Sequence, residues 1–248
     1  PASTNPRVTD AGLKNVFRVI GRDDEQGAIA GNFLADEVTG KNIAILHDQS
    51  AYGQGLAEIT KARLNERGVA EALFETYAPD QTAYTDLIEM MVNAEIEVIY
   101  IGGYQGDAGI IIREAKVRSP DIVLVSGDAL ASEDFPFIAG DAGIGSYFTF
   151  GPDARSTSAA VSVVASFRDD DDFEPTGYTL YSYAAVQAWA QAVENAGTFD
   201  GGAVARILRE EQFETVLGAI GFDHKGDVTG LTSFVWNQIG EEGYAPVD

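Results

Sequence analysis

The sequence predicts an α/β fold built on a doubly wound parallel sheet. Short apolar runs without polar alternation are typical of strands buried on both faces of such a sheet, and the chain contains three: Ile43–Leu46, Val98–Ile101 and Ile122–Val125. Helical patterns about 10 to 15 residues long separate them, as in right-handed βαβ crossovers. We therefore expect the carboxyl ends of these strands to lie at one edge of the same sheet.

The elements around these strands follow one another regularly up to about residue 150. Gly40 and Gly68 each follow a helical pattern, and glycine readily adopts the left-handed conformation of a helix C-cap. Pro120 stops a later pattern because proline cannot continue a helix. The predicted elements are helices over about 25–38, 56–64, 86–93 and 107–117, and a short strand over 72–77.

The pattern changes after Gly151 and Pro152, where helices and polar turns dominate. The predicted elements are helices over about 158–167, 178–195 and 202–210, a hairpin-like segment over 222–227 and an alternating strand over 231–236. These helices bring few parallel strands of their own. They need a partner sheet that this part of the chain does not obviously supply.

The composition argues against several classes of function. Asp and Glu number 39 against 16 Lys and Arg, and the net charge of −23 would repel nucleic acids and anionic lipid surfaces. No apolar run approaches the roughly 18 residues that span a bilayer, so we expect no membrane insertion. The absence of cysteine excludes thiolate sites. The acidic run Asp169–Asp172 lacks EF-hand spacing and is predicted to be a solvated loop. We expect neither metal nor cofactor.

Two turns at the expected sheet edge carry tyrosines. Gly102–Tyr104 follows the second apolar strand, and the turn after the first strand leads to Tyr52. Open α/β sheets bind ligands at this edge, so the sequence predicts a small-molecule cleft. His47 beside Asp48 resembles a catalytic pair, but neither a G-x-S-x-G elbow nor a complete G-x-G-x-x-G loop accompanies it. We expect no enzymatic activity.

A set of short motifs occurs in a recognisable order across essentially all 248 residues. The motif residues are Pro1–Thr4, Phe17, Arg18, Asp24, Gln26, Gly27, His47, Asp48, Tyr52, Gly53, Gly102–Tyr104, Gly218, Phe222, Asp223, Gly226 and Asp227. Together they resemble the Leu/Ile/Val-binding proteins, the branched-chain amino acid receptors of ABC importers. The resemblance implies a periplasmic binding protein-like fold, with two doubly wound lobes joined by a hinge that closes around the ligand.

The resemblance also implies a division of the chain. Residues 1–22 and 152–231 would belong to the first lobe, and residues 23–151 and 232–248 would form the second. Family members carry about 100 further residues ahead of the position of Pro1, and these form the leading βα units of the first lobe. We therefore expect the first lobe to be incomplete here, which would explain the helices without a partner sheet.

Candidate binding residues for an α-amino acid follow from the same resemblance. A carboxylate needs backbone N–H groups and hydroxyls, whereas an ammonium needs a carboxylate. Ala2 and Thr4 match positions that hold these charged groups, and Asp128 matches the acidic residue that pairs with the ammonium. Two alternatives remain: Thr4 as an ordinary turn residue, and Asp128 as the cap of the following helix. Asp128 stands where the family carries glutamate, which shortens its reach by one methylene.

Three tyrosines complete the implied site. Tyr52 and Tyr104 match aromatic positions that close over the ligand from the second lobe, and Tyr178 falls near an aromatic position of the first. Tyrosine offers rigid contact area at a small cost in side-chain entropy. The alternative for Tyr52 and Tyr104 is ordinary half-buried packing.

The implied function is that of a solute-binding protein. It would capture a small amino acid, branched-chain or otherwise aliphatic, in the cleft between its lobes and deliver it to an ABC permease. The implied location is periplasmic or extracellular, with membrane association only through the transporter. The change at Asp128 keeps open a receptor for amides, urea or aromatic acids, and a ligand-sensing domain of the same fold is a further alternative.

Overall fold

The chain divides into two compact units. A computed structural model describes residues 2–38, 40–171, 173–232, 234–241 and 243–247. The first unit comprises Pro1–Arg22 and Gly151–Ser233, and the second comprises Asp23–Phe150 and Phe234–Asp248. Within the described ranges, every helix is too short or too polar to serve as a membrane span.

Strands and helices alternate over much of the chain. In chain order the strands are β1 (Ile43–His47), β2 (Leu73–Thr76), β3 (Val98–Gly102), β4 (Val123–Ser126), β5 (Tyr147–Phe150), β6 (Phe213–Thr215), β7 (Gly218–Phe222), β8 (Val228–Thr229), β9 (Val235–Gly240) and β10 (Gly243–Pro246). The α-helices are α1 (Arg7–Asp10), α2 (Asp23–Glu37), α3 (Ala51–Glu66), α4 (Thr85–Asn93), α5 (Gln105–Arg118), α6 (Asp134–Ala139), α7 (Val161–Asp171), α8 (Thr179–Ala196) and α9 (Gly201–Glu210).

A seven-stranded, mostly parallel sheet forms the centre of the second unit. Its strand order is β10, β9, β5, β4, β3, β1, β2, and the pairs among β1 to β5 are all parallel. Every residue of β1 and β3 is buried, as expected for strands covered on both faces. The predicted doubly wound α/β class is therefore confirmed, and the carboxyl ends of β1, β3 and β4 meet at one sheet edge.

Two glycines let α2 and α3 pack closely on this sheet. A Cβ atom on Gly27 would lie 2.7 Å from Ile59 Cγ2, and one on Gly31 would lie 2.6 Å from Arg63 Cβ. Neither position could therefore accept a side chain without moving the helices apart. The close contact brings the first turn of α2 to the sheet edge that carries the candidate site.

The carboxyl-terminal strand lies further along the chain than predicted. The alternating pattern over 231–236 predicts a strand there, whereas β9 spans Val235–Gly240; Ser233 lies outside the described residues. In the structure β9 pairs antiparallel with β5, Phe148 opposite Asn237, and the Trp236 ring packs 4.4 Å from that of Phe33. Strand pairing and burial determine this register, and local alternation does not.

The first unit combines helices with a small antiparallel sheet. Its strands pair in the order β6, β7, β8, and the turn between β7 and β8 forms the hairpin that the sequence predicts over 222–227. Helix α8 ends at Gly197, whose φ of 63° is left-handed. The same helix exposes Tyr183, Val186 and Trp189. Among the described residues of this unit no parallel sheet partners the helices.

Helix α7 differs from the sequence-based prediction in two respects. It begins at Val161, later than the predicted 158, because residues 157–160 form a turn in which Thr157 Oγ1 accepts a hydrogen bond from Ala160 N at 3.2 Å. It also continues through Asp171, so the acidic run predicted as a loop is helical as far as that residue. Asp172 lies outside the described residues.

Candidate ligand-binding site

Two turns at the carboxyl edge of the sheet interlock through glycines. A Cβ atom on Gly102 would lie 2.2 Å from Gly53 O, and one on Gly53 would lie 2.4 Å from Gly102 O. Such contacts are too short for any side chain, so both positions require glycine. The backbone contact holds Tyr52 and Tyr104 together, with ring centroids 5.4 Å apart.

The turn after β1 is built to start α3 beside the site. Gln49 adopts a left-handed φ of 65°, and Asp48 Oδ1 accepts a hydrogen bond from Ser50 N at 2.9 Å. Ser50 then caps α3 by accepting from Gly53 N at 2.9 Å. Tyr52 thus lies in the first helical turn, where its ring projects from a fixed backbone.

His47 is part of this turn. Its Nδ1 accepts a hydrogen bond from Gln49 N at 3.2 Å, and its ring packs 5.6 Å from that of Phe74. The neighbouring Asp48 binds Ser50 N instead. The two side chains therefore support the turn that carries Tyr52.

Asp128 follows the end of β4, and its carboxylate joins Tyr52 and Tyr104 in one cluster. The residue is 2% exposed, and its Oδ1 accepts hydrogen bonds from Tyr52 Oη at 2.8 Å and from Gln26 Nε2 at 3.0 Å. A short 3₁₀ helix begins at Asp128, with Gly127 as its N-cap. The carboxylate is directed toward Tyr52 and Gln26.

The side chain of Gln26 makes four hydrogen bonds, which connect Asp23, Asp128 and Thr149. Its Nε2 donates to Asp23 Oδ1 at 2.9 Å as well as to Asp128, and its Oε1 accepts from Asp128 N and Thr149 Oγ1, both at 2.7 Å. Gln26, Asp23 and Thr149 are each 0% exposed. Gln26 belongs to the motifs of the family resemblance, but a glutamine near a helix start ordinarily faces solvent, so sequence reasoning assigns it no role.

The electrostatics of the cluster are negative. Partial burial raises the pKa of the Tyr104 hydroxyl, and the carboxylates of Asp48, Asp128 and Asp23 raise it further because they disfavour a second anion nearby. The Tyr104 side chain is nevertheless 51% exposed, so it offers an accessible aromatic face. A buried carboxylate beside two aromatic rings can bind a cationic group and enclose an apolar one.

The first unit holds its amino-terminal segment through one arginine. Arg18 Nη1 donates to the carbonyl oxygens of Ser3, Thr4 and Asn5 at 3.1, 2.8 and 3.1 Å. Its Nε lies 2.6 Å from Asp227 Oδ1, in the turn after β7. The motif residues Arg18 and Asp227 therefore hold the segment that carries Thr4.

Thr4 presents a polar atom that the protein itself does not satisfy. The residue is 1% exposed, and its Oγ1 is buried without a hydrogen-bond partner among the described residues. Buried hydroxyls are normally paired, so an orphan of this kind indicates a missing partner. Ala2 on the same segment is exposed, and Tyr178 is the N-cap residue of α8.

The six candidate residues thus fall into groups within each unit. In the second unit, Tyr52, Tyr104 and Asp128 form one cluster. In the first, Ala2 and Thr4 share the segment held by Arg18, and Tyr178 begins a helix.

The fold and the cluster define a class of protein: a doubly wound α/β protein with polar and aromatic groups gathered at the carboxyl edge of its sheet. Within that class, the chain belongs to the periplasmic binding protein family, whose sequence profile matches residues 1–235.

Individual relatives agree with this assignment. The chain is 42% identical over 247 residues to Leu/Ile/Val-binding protein homolog 1 of Brucella abortus (strain 2308), covering 98% of this chain and 66% of that protein. It is 33% identical over 241 residues to a leucine-, isoleucine-, valine-, threonine- and alanine-binding protein of Pseudomonas aeruginosa, covering 96% of this chain and 64% of the relative. A solved leucine binding protein of Thermotoga maritima superposes with a TM-score of 0.90 at 25% identity, covering 100% of this chain and 71% of its own. The chain therefore spans about two thirds of the length of these proteins.

Proposed function

We propose that this chain is part of a solute-binding protein that captures a small aliphatic amino acid, branched-chain in the first instance, and delivers it to an ABC permease. The names of the relatives from Brucella and Pseudomonas support an amino acid as the ligand. We further propose that the protein works outside the cytoplasmic membrane, as its family name suggests. No catalytic step is part of this function.

The observation that carries the proposal is the buried carboxylate of Asp128 beside Tyr52 and Tyr104. The Asp128 carboxylate is 2% exposed and is oriented by hydrogen bonds from Tyr52 Oη and Gln26 Nε2. An α-ammonium group is a partner of the right charge, and the tyrosine rings suit the adjoining aliphatic carbons. We assign the ammonium to Asp128 on this basis.

The first unit offers candidate groups for a ligand carboxylate. A carboxylate accepts hydrogen bonds from hydroxyls and backbone N–H groups. Thr4 Oγ1, which has no hydrogen-bond partner in the part of the chain that the structure describes, supplies one such donor, and the backbone near Ala2 supplies others. In this proposal Tyr178 contributes an aromatic contact.

Titration calorimetry on the purified protein tests the function. L-leucine, L-isoleucine, L-valine, L-alanine and L-threonine form one series, and isobutyramide, urea and benzoate form another that lacks the ammonium. We expect saturable binding in the first series only. Binding of a member of the second series in preference to every amino acid would refute the assignment of the ammonium to Asp128.

A further inference from the structure

The buried side chain of Gln26 lies against the Asp128 carboxylate and has no assigned part in ligand binding. We infer that Gln26 is a positioning residue, which holds Asp128 in the orientation that receives a ligand ammonium and thereby sets the preference for ligands that carry one. This inference rests on the proposed function.

The hydrogen bonds of Gln26 use the full capacity of its carboxamide. The Nε2 group has two N–H donors, which bond Asp23 Oδ1 at 2.9 Å and Asp128 Oδ1 at 3.0 Å. The Oε1 atom has two lone pairs, which accept from Asp128 N and Thr149 Oγ1 at 2.7 Å each. Because all four hydrogen-bonding positions of this buried amide are occupied, the amide is held in one orientation.

The partners also exclude the flipped amide. If the oxygen and nitrogen of Gln26 exchanged places, the oxygen would face the carboxylates of Asp23 and Asp128, and the NH₂ group would face the backbone N–H of Asp128. These contacts would be repulsive, although the Thr149 hydroxyl could rotate to accept from the NH₂ group. Gln26 binds both the backbone N–H and the Oδ1 atom of Asp128. The amide therefore holds the Asp128 carboxylate relative to the main chain of the same residue.

A glycine makes room for this convergence. A Cβ atom on Gly127 would lie 2.7 Å from Tyr52 Oη, 3.0 Å from Gln26 Oε1 and 2.6 Å from Leu56 Cδ2. Tyr52, Gln26 and Asp128 can therefore meet only because residue 127 has no side chain. The arrangement ties α2, α3 and the end of β4 to one carboxylate.

The consequence concerns selectivity. Without the amide, the Asp128 carboxylate would keep the hydrogen bond from Tyr52 Oη but lose the one from Gln26 Nε2, and the Asp128 backbone N–H would lose its acceptor Gln26 Oε1, so the carboxylate would be less firmly oriented. A less well oriented carboxylate binds an ammonium more weakly, since charge-assisted hydrogen bonds depend on geometry. Contacts to the aliphatic part of the ligand would be unaffected.

The test is Gln26→Met, which keeps the side-chain length and removes every hydrogen bond. Calorimetry compares L-leucine with 4-methylpentanoate, which is leucine without its amino group. We expect the variant to bind L-leucine about 10-fold to 100-fold more weakly. 4-Methylpentanoate keeps the carboxylate and the aliphatic contacts, so it should bind the wild type weakly, and its affinity should change by no more than about twofold in the variant. The matched control is Gln191→Met in the first unit, where the amide bonds only the backbone, donating to Gln187 O and Glu214 O and accepting from Glu214 N. That variant should leave both affinities unchanged.

Equal weakening of both ligands, or unchanged binding of L-leucine, would overturn the positioning role. If the wild-type protein binds no amino acid, the proposed function fails and this inference fails with it. If the variant does not fold, a measurement on the wild-type protein still tests the inference. The Gln26 side-chain amide NMR signals should shift on addition of L-leucine and stay in place with 4-methylpentanoate, and signals indifferent to L-leucine would contradict the inference.

Discussion

Replacement of Asp128 by asparagine separates the charge of this residue from its shape. Asparagine has nearly the same volume and keeps an oxygen that can accept the hydrogen bond from Tyr52 Oη, now 2.8 Å from Asp128 Oδ1. The variant therefore removes the negative charge while preserving the packing of a site that is 2% exposed. We expect the variant to fold normally and to bind the ligand ammonium more weakly.

The magnitude follows from the burial of the carboxylate. Two opposite charges about 4 Å apart attract each other by about 4 kcal/mol at an effective dielectric constant of about 20. Part of this attraction offsets the dehydration of the ligand ammonium, which leaves about 2 to 4 kcal/mol. A loss of about 3 kcal/mol corresponds to a leucine affinity lower by about 100-fold.

Calorimetry with L-leucine measures this loss, and thermal unfolding of the ligand-free protein checks the fold. The matched control is Asp107→Asn, since Asp107 is 6% exposed and its Oδ1 likewise accepts a tyrosine hydroxyl, from Tyr84 at 2.5 Å. Asp107→Asn should leave the affinity for L-leucine unchanged. A leucine affinity for Asp128→Asn within threefold of the wild type would show that the carboxylate does not bind the ammonium.

Three further outcomes test other parts of the structure. Gly102→Ala should lower the free energy of unfolding by about 2 kcal/mol or more in urea titrations, because its Cβ would lie 2.2 Å from a carbonyl oxygen, whereas Gly106→Ala, with open space around it, should be neutral or stabilising. Arg18→Leu should lower the free energy of unfolding by about 1 to 3 kcal/mol because the carbonyl oxygens of the segment around Thr4 lose their donor, while Asp227 keeps Arg22 as a cation; an unchanged urea midpoint would contradict this. Hydrogen bonds from two arginines lower the pKa of Glu174 from 4.5 to about 2, so its stabilisation is present above pH 4.5 and is lost as the pH falls toward 2. Glu174→Gln should accordingly unfold less steeply with acid over that range, and identical acid titrations would refute the reasoning.

Much of the second unit was predictable because its signals are local. A fully buried strand reads as an unbroken apolar run, and the glycines at its end mark a turn, so β1, β3 and the Gly102–Tyr104 turn follow from short windows of sequence. The strand near the carboxyl terminus was misplaced because its pairing with β5, about 85 residues earlier, decides its register.

The candidate site likewise has a part that local sequence predicts and a part that it does not. Tyr52, Tyr104 and Asp128 stand next to recognisable strand ends, and the structure brings them within contact of one another. Nothing local marks Gln26 as a buried partner of Asp128, since the two lie 102 positions apart. The role of Arg18 depends equally on carbonyl groups and on Asp227, which only the folded chain gathers.

The sequence by itself determined the class of fold, the sheet edge proposed as the ligand site and the residue types available there, because apolar periodicity and turn glycines act over a few residues. Only the tertiary structure decided how those residues are oriented. The interlocking of Gly53 with Gly102 and the amide of Gln26 between two carboxylates are contacts between distant segments. Their geometry depends on how the helices and strands pack together, which no single segment encodes.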